Sequence, residues 1–450
     1  MTPTSWLAWM FSGALSASTP VTPQPGLVLA LERTDLRTVQ TLTERVEAAG
    51  GWWLELESQL VVVAPDSALK SLSAGLRVEQ RLPALTPAAL ALQARGCGDE
   101  RSGLLPAIAM AGRHGLVWAP RRFVSYVTPD SAEWRSVRPN TVLARDQSLR
   151  GPAPAKGGAD PGLVARVAAV DAPRWFAAVQ SLAGFDRSSY GSGVDAARDW
   201  LLARFGELGL TTATHTFAIN ASVSVENVIA TLPGSSLPDE WVVIGAHYDS
   251  RNTSSSNPTG TPGAEDNASG CAAVLEMARV LVNYSHQRTL KFVCFAGEEQ
   301  GLLGSTSWVQ QLQSNGELPR VKLALIMDMI GYSGDTDLDL LLETSSALSG
   351  VFASYVALQP ELAPTLRLVT STNPFGSDHV PFINRSVPSL LTIENDWDSC
   401  AHYHKSTDLP ANMTRALDMG GGIVRLNTAV AAQAAGLAAT PAPLFADGFE

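Results

Sequence analysis

The residues able to do chemistry in this chain stand at the ends of apolar runs. Glu298 and Glu299 follow Leu290-Lys-Phe-Val-Cys-Phe-Ala296 and precede Gln300-Gly-Leu-Leu-Gly-Ser305. Two adjacent carboxylates at the mouth of a buried strand repel each other and are costly to desolvate. Such a pair is tolerated where a cation sits, or where one carboxylate must handle a proton. His247, Asp266, Asp328 and His404 each close an apolar segment of their own and supply partners for both tasks. Imidazole and carboxylate together suit Zn²⁺. Two such ions, about 3.5–4 Å apart, need one shared carboxylate and a pair of ligands each. The set reads as two-metal hydrolysis.

Each signal is weak alone. A His after a strand is more often structural, an Asp before a helix more often an N-cap, and Glu-Glu more often a solvated helix start. Their joint occurrence, in order, on successive strand ends carries the reading, because open α/β sheets bind ligands beyond the carboxyl ends of their strands.

Those strands fall at 225–232, 241–246, 290–296, 321–327, 338–342 and 389–393. Several are apolar at consecutive positions, as expected for a sheet covered on both faces. Ahead of them, Val194, Ala197, Leu201, Phe205 and Leu208 mark a helix by three- and four-residue steps. An Ala-rich helix at about 411–436 follows. Residues 163–437 are therefore expected to form an α/β domain, three-layered, with a largely parallel mixed sheet and helices on both faces. Residues 22–128 predict a smaller α/β unit: a strand at 27–31, a helix at 36–49 (Val39, Leu42, Val46) and one or two strands at 54–63. It holds one histidine, His114, and no chemistry is assigned to it; it is expected to be either a pro-domain that assists folding or covers the site until the Pro/Gly connector is cut, or a permanent accessory domain. Residues 129–162, rich in Gly and Pro around 150–162, predict an exposed linker. Residues 1–21 resemble a secretory signal without a basic start, so export to the periplasm or medium is expected. The tail, 438–450, has no assigned role.

At 450 residues two domains are expected. A net charge of −11 and a pI near 5.2 argue against nucleic acid or an anionic membrane as partner. The cysteines are Cys97, Cys271, Cys294 and Cys400. Cys271 and Cys294, inside apolar segments, read as buried free thiols. Cys97 and Cys400 lie in polar loops, where a disulfide is open.

The motifs Gly-Ala-His247-Tyr-Asp249-Ser, Ala-Glu-Asp266-Asn-Ala-Ser-Gly, Ala-Gly-Glu298-Glu299-Gln-Gly-Leu-Leu-Gly-Ser, Met-Asp328-Met-Ile-Gly and Tyr403-His404 with Asp408 are similar to those of the di-zinc aminopeptidases of clan MH. Asn227-Val-Ile-Ala230 and Ser377-Asp378-His379 also fit that family, which includes secreted bacterial leucyl aminopeptidases and is related to glutamate carboxypeptidases and glutaminyl cyclases. The resemblance covers about 163–437; residues 26–150 lie outside it. It implies two Zn²⁺, one held by His247 and Asp328, the other by Glu299 and His404, with Asp266 bridging. Glu298 would be the general base, Asp249 would orient His247, and Tyr403 would donate to the developing oxyanion. His402 rivals His404, but Asp408 stands four residues after His404, at the family's spacing. The implied activity is removal of N-terminal residues from peptides. A carboxypeptidase, with Arg251, Arg367 or Arg385 as its cation, a glutaminyl cyclase and a non-catalytic binding domain are the alternatives. The insert 251–262 would shape the pocket rim. Side-chain preference and oligomeric state are not legible.

Overall fold

Runs that are apolar at successive positions need cover on both faces. Val242, Ile244, Ala246, Leu290, Phe292, Cys294, Leu325 and Met327 enter one core, beneath helices; Trp241, Val243, Val293, Phe295, Ala324 and Ile326 enter another on the opposite face. The computed structural model describes residues 22–31, 36–94, 106–112, 114–118, 133–150, 158–253, 259–396 and 399–437. The expected signal, the tail and Cys97 lie outside the described residues.

In chain order the first elements are β1 (Gln24–Ala30), α1 (Leu36–Ala48), β2 (Trp52–Glu57), β3 (Gln59–Val63), α2 (Asp66–Leu72), β4 (Val78–Leu85), β5 (Leu90–Ala94), β6 (Ala107–Ala111), β7 (His114–Trp118), β8 (Glu133–Ser136) and β9 (Thr141–Asp146). There follow α3 (Pro161–Ala168), α4 (Ala172–Ala183), α5 (Gly193–Glu207), β10 (Thr211–Ala218), β11 (Ser224–Leu232), β12 (Leu237–His247), α6 (Ser269–Leu281), β13 (Arg288–Phe295), α7 (Leu303–Ser314) and β14 (Val321–Met327). The last are β15 (Asp339–Glu343), α8 (Phe352–Leu362), β16 (Arg367–Ser371), α9 (Val380–Ile383), β17 (Ser389–Glu394) and α10 (Ala416–Ala435).

A 13-stranded sheet runs β10-β11-β13-β12-β14-β17-β15-β16-β9-β2-β3-β1-β4, and a four-stranded sheet runs β6-β7-β5-β8. The large sheet is mixed: β13, β12, β14 and β17 pair in parallel, β10 and β11 pair antiparallel to their neighbours, and β15 pairs antiparallel with β17 but parallel with β16. The architecture is α/β with helices on both faces.

The expected boundary at 129–162 meets a different arrangement. Residues 141–146 form β9, paired antiparallel with β16 and parallel with β2, so one sheet runs through both parts of the chain. The polar residues that suggested a linker are paired rather than solvated: Arg145 grips Glu55 through two bonds of 2.6 and 2.5 Å, and Asp146 accepts from Arg367 at 2.6 Å. Val28, Leu54 and Val61 share a core with Phe295, Ile326 and Met329. The cysteine expectation is corrected as well. Cys271 on α6 and Cys294 on β13 form a disulfide, with Cα atoms 5.9 Å apart, because the helix packs directly on that strand. Cys400 is a buried free thiol.

Candidate metal centre

β13, β12 and β14 are adjacent and parallel, so their carboxyl ends open side by side about 4.8 Å apart. His247 is the last residue of β12, Asp328 follows β14, and Glu298 and Glu299 occupy the turn after β13. Asp266 enters from the loop before α6, and His404 from the loop after β17. Gly297, at φ +67°, turns the chain between β13 and the two glutamates; Gly263, at φ +45°, does so ahead of Asp266. A side chain at Gly263 would strike the Asp266 carbonyl. His404 and Met329 also hold positive φ, of 52° and 50°, so local strain gathers around the centre.

Asp266 stands between the two imidazoles. Its Oδ1 lies 3.2 Å from His247 Nε2 and its Oδ2 lies 2.9 Å from His404 Nε2. Asp328 Oδ1 is 3.3 Å from His247 Nε2, and Glu299 Oε2 is 3.2 Å from His404 Nε2. Glu298 Oε2 stands farther back, 4.0 Å from His247 Nε2. His247, Glu298 and Asp328 form one group able to hold a cation, and Asp266, Glu299 and His404 a second.

The groups fit metal ions on two independent counts. Donors about 2.0–2.1 Å from a tetrahedral zinc stand about 3.3–3.4 Å apart, near the spacing seen here. Both carboxylate oxygens of Asp266 and of Glu299, Oε2 of Glu298 and Nε2 of His404 are buried without a hydrogen bond. Four buried carboxylates facing two imidazoles need added positive charge.

The supports are mostly backbone bonds. Asp249 accepts from the N–H groups of Glu298 and Glu299, both at 3.3 Å, and from Ser189 Oγ at 3.1 Å. Its own carbonyl lies 3.2 Å from His247 Nδ1, closer than its carboxylate at 3.5 Å, so Asp249 orients His247 chiefly through the main chain. Asp408 accepts from the N–H groups of Glu265 and Asp266, at 2.9 and 3.0 Å. Ser377 Oγ donates to Asp328 Oδ2 at 2.7 Å. Asn227 clamps the glutamate turn at both ends, accepting from Ala296 N–H and donating to Gly304 O, each at 2.9 Å. Tyr403 stacks on the His404 ring, centroids 3.9 Å apart, while His402 is half-buried and bonds Thr407 instead.

Arg187 escaped the sequence reading. Fully buried, its guanidinium donates to the carbonyls of Leu182, Tyr248, Pro262 and Gly263 at 2.6–2.7 Å, tying the 249–263 loop to α4. Carbonyl partners leave no trace in side-chain spacing. The nearest signal was its place in a Gly- and Ser-rich turn, which any exposed arginine shares.

Burial and the surrounding carboxylates set the protonation of the metal-free centre. Burial pushes the Glu298 carboxyl well up; Asp328, Glu299 and Asp378 add to this against the pull of His247. Burial would also raise Asp266, but His247 and His404 on either side bring it below the usual carboxylate range. Burial opposes protonation of His404, yet Glu299 and Asp266 raise it to about 9, against 6.5 for a free imidazole. His404 therefore carries a proton at neutral pH that an incoming cation must displace. Zinc binding should release protons, and affinity should fall as pH drops, by about tenfold per unit for each proton displaced. Calorimetric titration of the metal-free protein in two buffers of different ionisation heat, at about pH 7, checks this; equal heats would contradict it.

Residues 227–421 match the model of peptidase family M28. That stretch of the chain carries an M28 peptidase domain. A probable zinc metalloprotease of Pyrenophora tritici-repentis is 39% identical over 162 residues, 32% of this chain and 36% of that protein. A probable leucine aminopeptidase of Trichophyton verrucosum is 30% identical over 245 residues, 51% of this chain and 64% of that protein. The chain thus matches only about a third of the first relative's length. The LapA aminopeptidase of Legionella pneumophila shares the fold, with TM-score 0.54 and 18% identity over 93% of this chain and all of that one. That likeness reaches beyond the M28 region into the N-terminal strands.

Proposed function

We propose that the chain is an exported zinc aminopeptidase with two ions, Glu298 acting as general base. The observation that carries this reading is Asp266, whose two oxygens face a different imidazole each. His247, Asp328 and Asp266 would hold one ion, and His404, Glu299 and Asp266 the other. When bound, zinc supplies Lewis-acid polarisation and acidifies water. Glu298, set back from both imidazoles, takes a proton from the attacking water and returns it to the departing amine. Its raised affinity for a proton suits that exchange. Asp249 fixes the turn so that Glu298 and Glu299 point to different tasks. Tyr403, stacked beside His404, offers its hydroxyl to the developing oxyanion. A peptide is the substrate. Export is supported by the Cys271–Cys294 disulfide, which persists in oxidising compartments.

One observation favours a carboxypeptidase instead: Arg251 Nη1 lies 3.5 Å from the Glu299 carbonyl, beside the centre. The other two candidate cations are engaged elsewhere, Arg367 with Asp146 and Arg385 with Gln313. A panel of amino-acid p-nitroanilides, peptides blocked at the N-terminus and peptides beginning with Gln separates the activities. Aminopeptidase action predicts turnover of the first group, release of free Gln without cyclisation from the third, and no cleavage of the blocked peptides. Release of C-terminal residues from blocked peptides, or cyclisation of N-terminal Gln, would replace this reading.

A further inference from the structure

The residues 371–379 lie between the metal centre and the N-terminal strands, and both sides grip them. On one side, Leu143 O of β9 accepts from Asn373 Nδ2 at 2.7 Å and Ser371 Oγ at 3.3 Å. Arg135 of β8 donates to Pro374 O at 2.7 Å. His114 Nε2, at the start of β7, lies 3.2 Å from Asn373 O and 3.5 Å from Glu343 Oε2. Glu343 Oε1 in turn accepts from Phe375 N–H at 2.8 Å and lies 3.3 Å from His379 Nε2. His114, Glu343 and His379 are all fully buried. On the other side, Ser377 Oγ donates to Asp328, which faces His247.

A cover destined for removal would need a separable interface. This one is a continuous sheet, a shared apolar core and a buried His114–Glu343 contact, each costly to open. Three strands of the N-terminal part, β7, β8 and β9, contribute the bonds. We propose that the N-terminal part is a permanent member of the metal-centre scaffold: it holds the 371–379 segment, which positions Asp328 through Ser377. Glu343 is the positioning residue at the junction. The inference rests on the two-metal reading above only for the role of Asp328.

The test uses the full chain with a site-specific protease sequence placed within residues 151–157. After cutting, the two pieces should co-elute at the intact mass, with zinc content and p-nitroanilide turnover within about twofold of the uncut protein. Separation of the pieces with loss of zinc from the larger one would also support the scaffold role. Separation with zinc and turnover retained, or a rise in turnover on cutting, overturns it. Glu343→Gln keeps the shape and the Phe375 contact but puts an amide where a carboxyl group faces His114 and His379. It should lower kcat and zinc retention under chelator by about 10-fold, with KM little changed and Glu343→Asp partly restoring both. Unchanged kcat and retention would likewise overturn the proposal. Co-elution and zinc content do not depend on which bond is cleaved, so they stand even if the substrate assignment fails.

Discussion

Asp266→Ala should empty both halves of the centre and reduce turnover by more than about 100-fold. Removal of an outer partner of a metal ligand costs roughly 10–100-fold, and a ligand shared by two ions must exceed that. The geometry leaves no substitute. His247 and His404 are each within 3.2 Å of Asp266, through different oxygens, and Glu299 and Asp328 each approach only one imidazole. Without Asp266 the carboxylate that faces both imidazoles is lost, and two ions held there would repel each other with less charge between them. Elemental analysis of the purified variant should give less than one zinc per chain, against about two for the parent. Asp266→Asn, which keeps the shape and one carbonyl oxygen, should retain part of the metal. A normal zinc content in Asp266→Ala would show that the two groups are independent sites, and the shared-ligand mechanism would be lost. Thermal unfolding measured beside it separates metal loss from misfolding, because apolar packing around Ala264 and Ala268 is untouched by the substitution.

The parts of this molecule legible in its sequence are those where one physical cause dominates. β12, β13 and β14 are covered on both faces, so burial alone writes them as continuous apolar runs, and their ends mark the centre. Helix α5 shows its buried face through Val194, Ala197, Leu201 and Phe205. β9 was hidden for the opposite reason. Its Arg145 and Asp146 look like solvated loop residues, and only partners distant in sequence, Glu55 and Arg367, explain them. The same holds for the site. His247, Asp266, Glu298, Glu299, Asp328 and His404 could be picked out by type and position, and they converge. Ser377 and Asp408 hold them by bonds to a carboxylate and to peptide N–H groups; both stood in motifs that matched the family, but type alone did not give them a task. The Cys271–Cys294 bridge was missed because apolar surroundings fit a thiol and a disulfide equally well.

Glu298→Gln should separate the two jobs that adjacent glutamates perform. The substitution keeps volume and a hydrogen-bonding oxygen but removes the ability to carry a proton, which is worth about 10²–10⁴-fold in kcat. KM should move little, because Glu298 stands 4.0 Å from His247 and is the farthest carboxylate from the imidazoles. Zinc content should stay at the parent value. Glu299→Gln should do the reverse. Its carboxylate lies 3.2 Å from His404 with neither oxygen hydrogen-bonded, so the loss of charge should weaken one ion before it touches proton transfer. Added zinc should therefore restore Glu299→Gln in part and Glu298→Gln not at all. Because Asp249 holds both residues through their backbone N–H groups, neither substitution disturbs the turn, and the contrast reads side-chain chemistry alone. If excess zinc rescued Glu298→Gln, Glu298 would be a ligand and the base would have to be sought elsewhere in the centre.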